Sequence, residues 1–216
     1  MSKLSKDWNS HYSKSKSDLA YPDENLVRLI AGKFPNMNAR EKLKVLDIGC
    51  GSGRHLMLLK NYGFTEIYGT DFSLNALSLS REYFSSSLIN CDNKNLPFAD
   101  NIFDLTIAWG SLHYSDKKDF EIMLGETHRV LKKGGQLFAT LRNERDSYLK
   151  TGTDLGEGTW KTGLNDLSGT TVSFFNEEEL KKYFGIFREC SYGWMERTII
   201  GDTSKVISHW IISARA

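Results

Sequence analysis

Three aspartates and a glycine turn are the residues of this chain best placed to do chemistry. The stretch KVLDIGCGSGRH, residues 44–55, runs from a short apolar strand through Gly49, Gly51 and Gly53 into a helical pattern. Such a turn makes an electropositive niche, because the first N–H groups of a helix lack partners within it. Glycines there let a ligand approach the backbone with no Cβ in the way. The dinucleotide fingerprint spaces its glycines G-x-G-x-x-G and cradles a pyrophosphate. Here the spacing is G-x-G-x-G, Arg54 stands where the last glycine would be, and Asp47 precedes the turn. A carboxylate at that point repels phosphate and attracts an ammonium group. Asp71 ends the next strand, EIYGTD, where an acid can take both hydroxyls of a ribose. Asp92 ends the third, SLINCD, where a carboxylate can accept a hydrogen bond from an exocyclic amine.

The elements that must position these acids are legible as an alternation. YPDENLVRLIAGKF reads as a helix, with Pro22 in its first turn and Leu26, Val27, Ile30 and Phe34 on one face. KVLDI is the mostly apolar strand of a sheet covered on both sides. After the glycine turn come a helix through Leu56 and Leu59, the strand EIYGTDF, and a helix over SLNALSLSREYF with Ser73 as N-cap. The strands SLINCD and FDLTIAW follow, then a helix over KKDFEIMLGETHRVLKK ended by Gly134-Gly135, and a fifth strand, QLFATLR. This pattern predicts an α/β, Rossmann-like, doubly wound and mostly parallel sheet with helices on both faces. NMNAREKL is a connecting loop. Residues 143–170 read as a long glycine-rich, polar loop, NEEELKKYF as a short helix capped by Asn176, and FRECSYGWMERTII with KVISHWIISAR as a C-terminal hairpin turned by GDTS.

A ligand with an amino-acid end, a ribose and an amino-bearing base has the make-up of S-adenosylmethionine. At this point the chain resembles the class I S-adenosylmethionine-dependent methyltransferases, from about residue 22 to residue 142. VLDIGCGSGRH is similar to the family's first motif, YGTDFS to its ribose-binding segment and CDNKNLPF to its adenine segment. FDLTIAWGSLHY and HRVLKKGGQLFAT resemble its fourth- and fifth-strand segments. The resemblance implies a seven-stranded sheet with an antiparallel last strand, which the C-terminal hairpin fits. It implies cofactor contacts from Asp47 and the turn Gly49, Cys50, Gly51, Ser52 and Gly53 to the methionine part. Asp71 and Phe72 would meet the ribose and adenosine, Asp92 and Asn93 the adenine, and Trp109 and Gly110 the methionine side. S-adenosylhomocysteine would be the product. Each residue also has a plainer reading: Asp47 and Asp71 as caps, Phe72 and Trp109 as core aromatics, Cys50 as a small turn residue.

For the acceptor, His113 just past the fourth strand is the candidate base, with Tyr114 beside it as an orienting group; His113 can equally serve as packing or a shield. With only Pro22, Pro35 and Pro97, the Asn/Asp-Pro-Pro-aromatic motif of many amide- and base-directed N-methyltransferases is absent after the fourth strand. No carboxylate cluster there suggests the magnesium site of catechol-type enzymes. A small or medium-sized molecule methylated on oxygen, of sugar-like or anionic character, is the expected acceptor. The expected lid is residues 1–21, with Trp8, His11, Tyr12 and Tyr21. The expected substrate-side insert is residues 143–170, with Arg142, Tyr148 and Trp160 facing the acceptor.

Composition bounds these readings. A length of 216 residues, 40% of them apolar, fits a single domain over 1–216. A net charge of +1 gives no field for nucleic acid or an anionic membrane, so neither is an expected partner. Lys3, Lys6, Lys14 and Lys16 read as a solvated basic tail. No stretch has the length of a signal peptide's apolar region or a membrane span. Cys50, Cys91 and Cys190 are odd in number and lack metal-ligand spacing, and the five histidines are scattered, so a cytoplasmic protein without a structural metal is expected. Three other readings stay open: a nucleotide-dependent oxidoreductase on the same sheet, a non-catalytic S-adenosylmethionine-binding module, and a methyltransferase acting on nitrogen or on a macromolecule.

Overall fold

Alternation within single strands decides the architecture. In β1 (Lys44–Ile48), Val45 packs into one apolar cluster, and Leu46 and Ile48 into another. In β5 (Leu131–Asn143), Phe138 joins the first cluster, while Leu137, Ala139 and Leu141 join the second. Both faces of the sheet are therefore covered, as a parallel sheet requires. The first cluster is closed by α2 (Glu24–Lys33), α4 (Arg54–Asn61) and α5 (Leu74–Ser80), through Leu26, Ile30, Leu56, Leu59 and Leu77. The second is closed by α6 (Lys117–Val130) and α7 (Glu177–Phe184), through Phe120, Leu124, Leu180 and Phe184.

This arrangement is seen in a computed structural model that describes residues 3–13, 21–82, 84 and 87–216. Among the described residues ten strands join in one sheet, and seven of them make its main body. β3 (Leu88–Asn90), β2 (Glu66–Asp71), β1, β4 (Phe103–Ala108) and β5 lie side by side and parallel. β10 (Asp202–Arg215) adds antiparallel to β5, and β9 (Glu189–Ile199) pairs antiparallel with β10. The chain thus folds as an α/β, Rossmann-like sheet whose last strand runs against its neighbours.

Several boundaries differ from the sequence reading. The segment over 143–170 is not a bare loop. It holds β6 (Gly152–Gly156) and β7 (Thr159–Thr162), which pair antiparallel, and a 3-10 turn at Asn165–Leu167. β7 pairs in turn with β8 (Thr171–Phe175), and β8 pairs parallel with the end of β5 at Arg142↔Phe174 and Asn143↔Phe175. Glycines at positive φ (Gly152, Gly156 and Gly158) turn this small meander, which hid the strands behind a loop-like composition. Helix α6 stops at Val130, short of Gly134-Gly135, because Leu131 is already extended and begins β5. Residues Met37–Arg40 form a short helix, α3, where a loop is read from sequence; Asn36 caps it. The N-terminal segment contains helix α1 (Lys3–Tyr12). Residues 1, 2 and 14–20, including Lys14 and Lys16 of the basic tail, lie outside the described residues.

Caps fall where the sequence placed them. Ser73 accepts from the Ala76 N–H at 3.2 Å. Asn176 accepts from the Glu179 N–H at 2.8 Å while the Glu179 carboxylate accepts from the Asn176 N–H at 3.0 Å. Asn176→Ala leaves helix donors unpaired and lowers stability by about 1 kcal/mol. The check is the urea midpoint at unchanged m-value; an unaltered midpoint would show that the box contributes nothing.

Candidate functional site

The turn after β1 is built by backbone bonds that only a left-handed chain can make. Gly49, Gly51 and Gly53 have φ of 70°, 56° and 91°. The N–H groups of Gly49 and Cys50 both donate to the Thr70 carbonyl, at 2.8 and 2.9 Å. Asp71 at the tip of β2 then accepts from the Gly51 N–H at 3.0 Å and the Ser73 N–H at 2.8 Å. One carboxylate so fixes both the turn and the start of α5, and its remaining lone pairs are available to a diol. A Cβ on Gly49 would stand 2.5 Å from the Ser111 Cβ, and one on Gly51 would run into the Tyr12 hydroxyl. The turn is therefore enclosed on two sides and tolerates no side chain at either position.

Asp47 is buried below this turn, and its Oδ2 has no hydrogen-bond partner. Burial pushes its carboxyl up to about 7, against the pull of the nearby Arg54 guanidinium. Burial likewise raises Asp71 to about 6, opposed by its backbone donors. A buried acid with an unpartnered acceptor atom calls for a cation or a donor beside it, and Asp47 itself lines neither of the two cavities beside the turn. Burial, and then the charges of Asp47 and Asp71, push the Cys50 thiol well up and leave it unfit as a nucleophile.

Two cavities flank the turn. The first, 570 Å³, is lined by Asp71, Phe72, Asp92, Asn93 and Gly110, with Ser111 and Asn90 among its further walls. Asn93 is buried with an unpartnered Oδ1. Asp92 accepts from the Lys94 N–H at 3.0 Å and keeps its other oxygen near the Lys94 ammonium, at 3.9 Å. The second cavity, 450 Å³, is lined by Cys50, Ser52, Trp109, His113, Arg142 and His209, among others. Trp8, Tyr12, Gly49, Gly110 and Tyr114 line both. Helix α1 therefore sits over the point where the cavities meet. Asn9 ties it down: its side-chain oxygen accepts from the Ser73 hydroxyl at 2.8 Å, and its carbonyl accepts from the Asn75 side chain at 2.9 Å. The Trp8 ring meets Tyr114 edge-on at 4.8 Å and Phe72 at 6.4 Å.

His113 lies in the second cavity, 1% exposed. Its Nδ1 is 3.4 Å from the Thr140 carbonyl, and its Nε2 has no partner. Burial, and then the charge of Arg142, hold the imidazole well below its ordinary range, so it is neutral at pH 7. The loop that carries it is clamped by β8: the Ser173 N–H donates to the His113 carbonyl at 2.8 Å and the Ser173 hydroxyl to the Ser115 carbonyl at 2.7 Å. β8 thus positions the histidine without touching its ring nitrogens. His55 and His209, also in this cavity, are both pulled down to about 3 by burial. Among the described residues, no three histidine, cysteine or acidic side chains are arranged to hold a metal ion.

Not every residue expected at the site is there. Tyr21 is 84% exposed and lines neither cavity; its carbonyl accepts from Arg54 at 3.3 Å. Tyr148 and Trp160 pack with Leu149, Val172 and Phe174 in the insert's own small core rather than facing either cavity. Trp109 is at once a core residue and a wall of the second cavity, but not of the first. Met195, Arg197 and His209 were missed. They come from the C-terminal hairpin, whose strands are legible but whose register is not, and it is the register that brings them to Arg142.

Residues 45–135 match the model of the family described as a methyltransferase domain. A demethylmenaquinone methyltransferase of Staphylococcus aureus is 38% identical over 109 residues, 47% of this chain and 44% of that protein. The chain thus spans under half the length of the curated relatives it matches. A solved S-adenosylmethionine-dependent methyltransferase from Methanosarcina mazei aligns with a TM-score of 0.67 at 22% identity, over 84% of this chain and 97% of its own. The 1,6-didemethyltoxoflavin-N1-methyltransferase of Burkholderia thailandensis aligns with a TM-score of 0.62 at 15% identity, over 98% and 86%. These structural likenesses are likenesses of fold.

Proposed function

We propose that this chain carries a class I, Rossmann-like S-adenosylmethionine-dependent methyltransferase domain and that the protein methylates a hydroxyl of a small molecule held in the second cavity. The observation that carries the proposal is the junction of the two cavities. The neutral His113, its Nε2 unpartnered, lines the second chamber, which shares Tyr114 and Gly110 with the one lined by Asp71. The bound sulfonium supplies a methyl group already activated for in-line displacement, so the protein's task is alignment and exclusion of water.

Asp47 takes the ammonium of the cofactor, and the Gly49–Gly53 turn receives its methionine chain. Asp71 holds the ribose hydroxyls, and Phe72, Asp92 and Asn93 enclose the base. Helix α1 acts as the lid, with Trp8 and Tyr12 separating cofactor from acceptor. His113 receives the acceptor's proton on Nε2, and Tyr114 orients the acceptor. An anionic or sugar-like molecule suits the polar walls of the second cavity. The named relatives act on small molecules, demethylmenaquinone and 1,6-didemethyltoxoflavin, which supports a small acceptor here. Three free cysteines accord with a cytoplasmic setting.

The test is transfer of labelled methyl to a panel of hydroxyl, amine and thiol metabolites, beside titrations with S-adenosylhomocysteine and NADH. Transfer to a hydroxyl is expected. S-adenosylhomocysteine binding with no turnover on any class would make this a non-catalytic module, and binding of NADH alone would make it an oxidoreductase.

The Asp47 assignment has a pH signature. An ammonium beside Asp47 favours its ionised form, so binding drives off the proton that the free protein holds below about 7. Affinity for S-adenosylhomocysteine therefore falls as pH drops from 7 to 6, approaching about tenfold per unit. Asp71, at about 6, adds a second loss below that. Calorimetry at several pH values should show the first step vanish in Asp47→Asn; a step that persists would remove Asp47 from the ammonium site.

A further inference from the structure

The inner wall of the second cavity is a row of side chains running across three strands. Arg142 on β5 pairs with His209 on β10, and His209 pairs with Met195 on β9. Residues directly opposite in adjacent strands share a face of the sheet. Arg197 lies two residues beyond Met195, on that same face, and all four line the cavity.

The charges along this wall are unequally matched. Arg54 is met by Asp47 and Asp23. Arg142 donates through Nη1 to Asp146 at 2.7 Å, and Asp146 is saturated by the N–H groups of Leu149 and Ser208. Arg197 has no ion-pair partner among the described residues, because the neighbouring Glu196 points to the opposite face and pairs with Arg145 at 2.9 Å. Two buried nitrogens also end without partners: the Nε of Arg142, only 8% exposed, and the Nδ1 of His209, which donates in the tautomer that carries its proton there. Polar atoms at this burial are rarely left unsatisfied, so a ligand group or a water completes them.

We infer that this wall is an anion subsite that holds a single carboxylate-like group of the methyl acceptor, bonded by Arg142 Nε and His209 Nδ1 and neutralised by Arg197. The inference rests on the methyl-transfer reading for its role, though not for its chemistry. One uncompensated cation facing the cavity matches one negative charge. A guanidinium presents planar donors suited to a carboxylate, and Met195 supplies an apolar surface for the rest of the molecule. The acceptor class is a hydroxy acid, its acid group against the β5–β10–β9 row and its hydroxyl toward His113.

The test is binding of matched hydroxy acids and their amides to the full chain, with and without S-adenosylhomocysteine. The probes are hydroxybenzoates against hydroxybenzamides, lactate against lactamide, and glucuronate against glucuronamide, all read by calorimetry. At least one acid should bind about tenfold or more tightly than its amide, as expected of a charge-assisted bond. Arg197→Gln should erase that preference and Arg197→Lys keep most of it, which a purely structural arginine would not do. Arg197 is the chosen position because Arg142→Gln strands a buried Asp146 and can fail to fold. If no acid outbinds its amide, or if the preference survives Arg197→Gln, the subsite is overturned. The two readings fail separately. Acid preference in a protein that does not bind S-adenosylhomocysteine keeps the subsite and removes the methyl-transfer role, and cofactor binding without acid preference does the reverse.

Discussion

Asp71→Ala lowers the affinity for S-adenosylhomocysteine by one to two orders of magnitude in isothermal titration calorimetry at pH 8. At that pH the Asp71 carboxyl is ionised even though burial raises it to about 6. A hydrogen bond to a charged group is worth about 1.5–3 kcal/mol, or ~10- to 150-fold in affinity. The substitution removes the ribose acceptor, and it also frees the Gly51 and Ser73 N–H groups that the carboxylate now holds. The second effect loosens the turn itself, so the thermal midpoint of the unliganded protein must be read beside the affinity. Ser73→Ala separates the two effects. It removes the α5 cap and the tie to Asn9 but leaves the carboxylate in place. It should therefore cost stability with little change in affinity. Unchanged affinity in Asp71→Ala would take this residue out of the cofactor site.

That Asp71 was legible in sequence while His209 was not has a physical reason. Asp47, Asp71 and Asp92 are placed by local rules: Asp47 lies near the end of β1, Asp71 ends β2 and Asp92 stands two residues past β3, and the three strands run parallel, so all three acids gather at one edge of the sheet. The glycine turn is equally local, since its positive φ values demand those residues whatever the rest of the chain does. His209 and Arg197 reach the second cavity only because β10 pairs with β5 in a register that sets His209 opposite Arg142. A shift of one residue would turn His209 to the other face, and nothing in the hairpin's own sequence fixes that register against β5. The insert misled for a related reason. Its tyrosine and tryptophan look like surface recognition residues in a glycine-rich stretch. Once β6, β7 and β8 pair, Tyr148 and Trp160 have a small core of their own to fill. Arg142, at the root of the insert, and Leu167 within it line the second cavity.

His113→Ala lowers kcat by about 10²–10⁴-fold, the range of a general base, with cofactor affinity unchanged within about twofold. The geometry selects the atom. The Thr140 carbonyl faces Nδ1 at 3.4 Å, which favours the tautomer with its proton there and leaves the buried Nε2 lone pair without a partner. Burial and Arg142 keep the ring neutral well below pH 6.5. The base is then in its working form throughout the neutral range, and kcat should stay flat from pH 8 down past 6.5 instead of falling at the ordinary histidine value. A depressed pKa makes a weaker proton acceptor, but a sulfonium methyl transfer runs strongly downhill and needs the proton taken only as the new bond forms. Packing is separated from proton transfer by His113→Leu, which keeps most of the volume and loses the nitrogen. If His113 only fills space, His113→Leu should turn over at nearly the native rate. If it is the base, both variants should fall together, and the residual rate should rise with pH as the acceptor's own hydroxyl ionises.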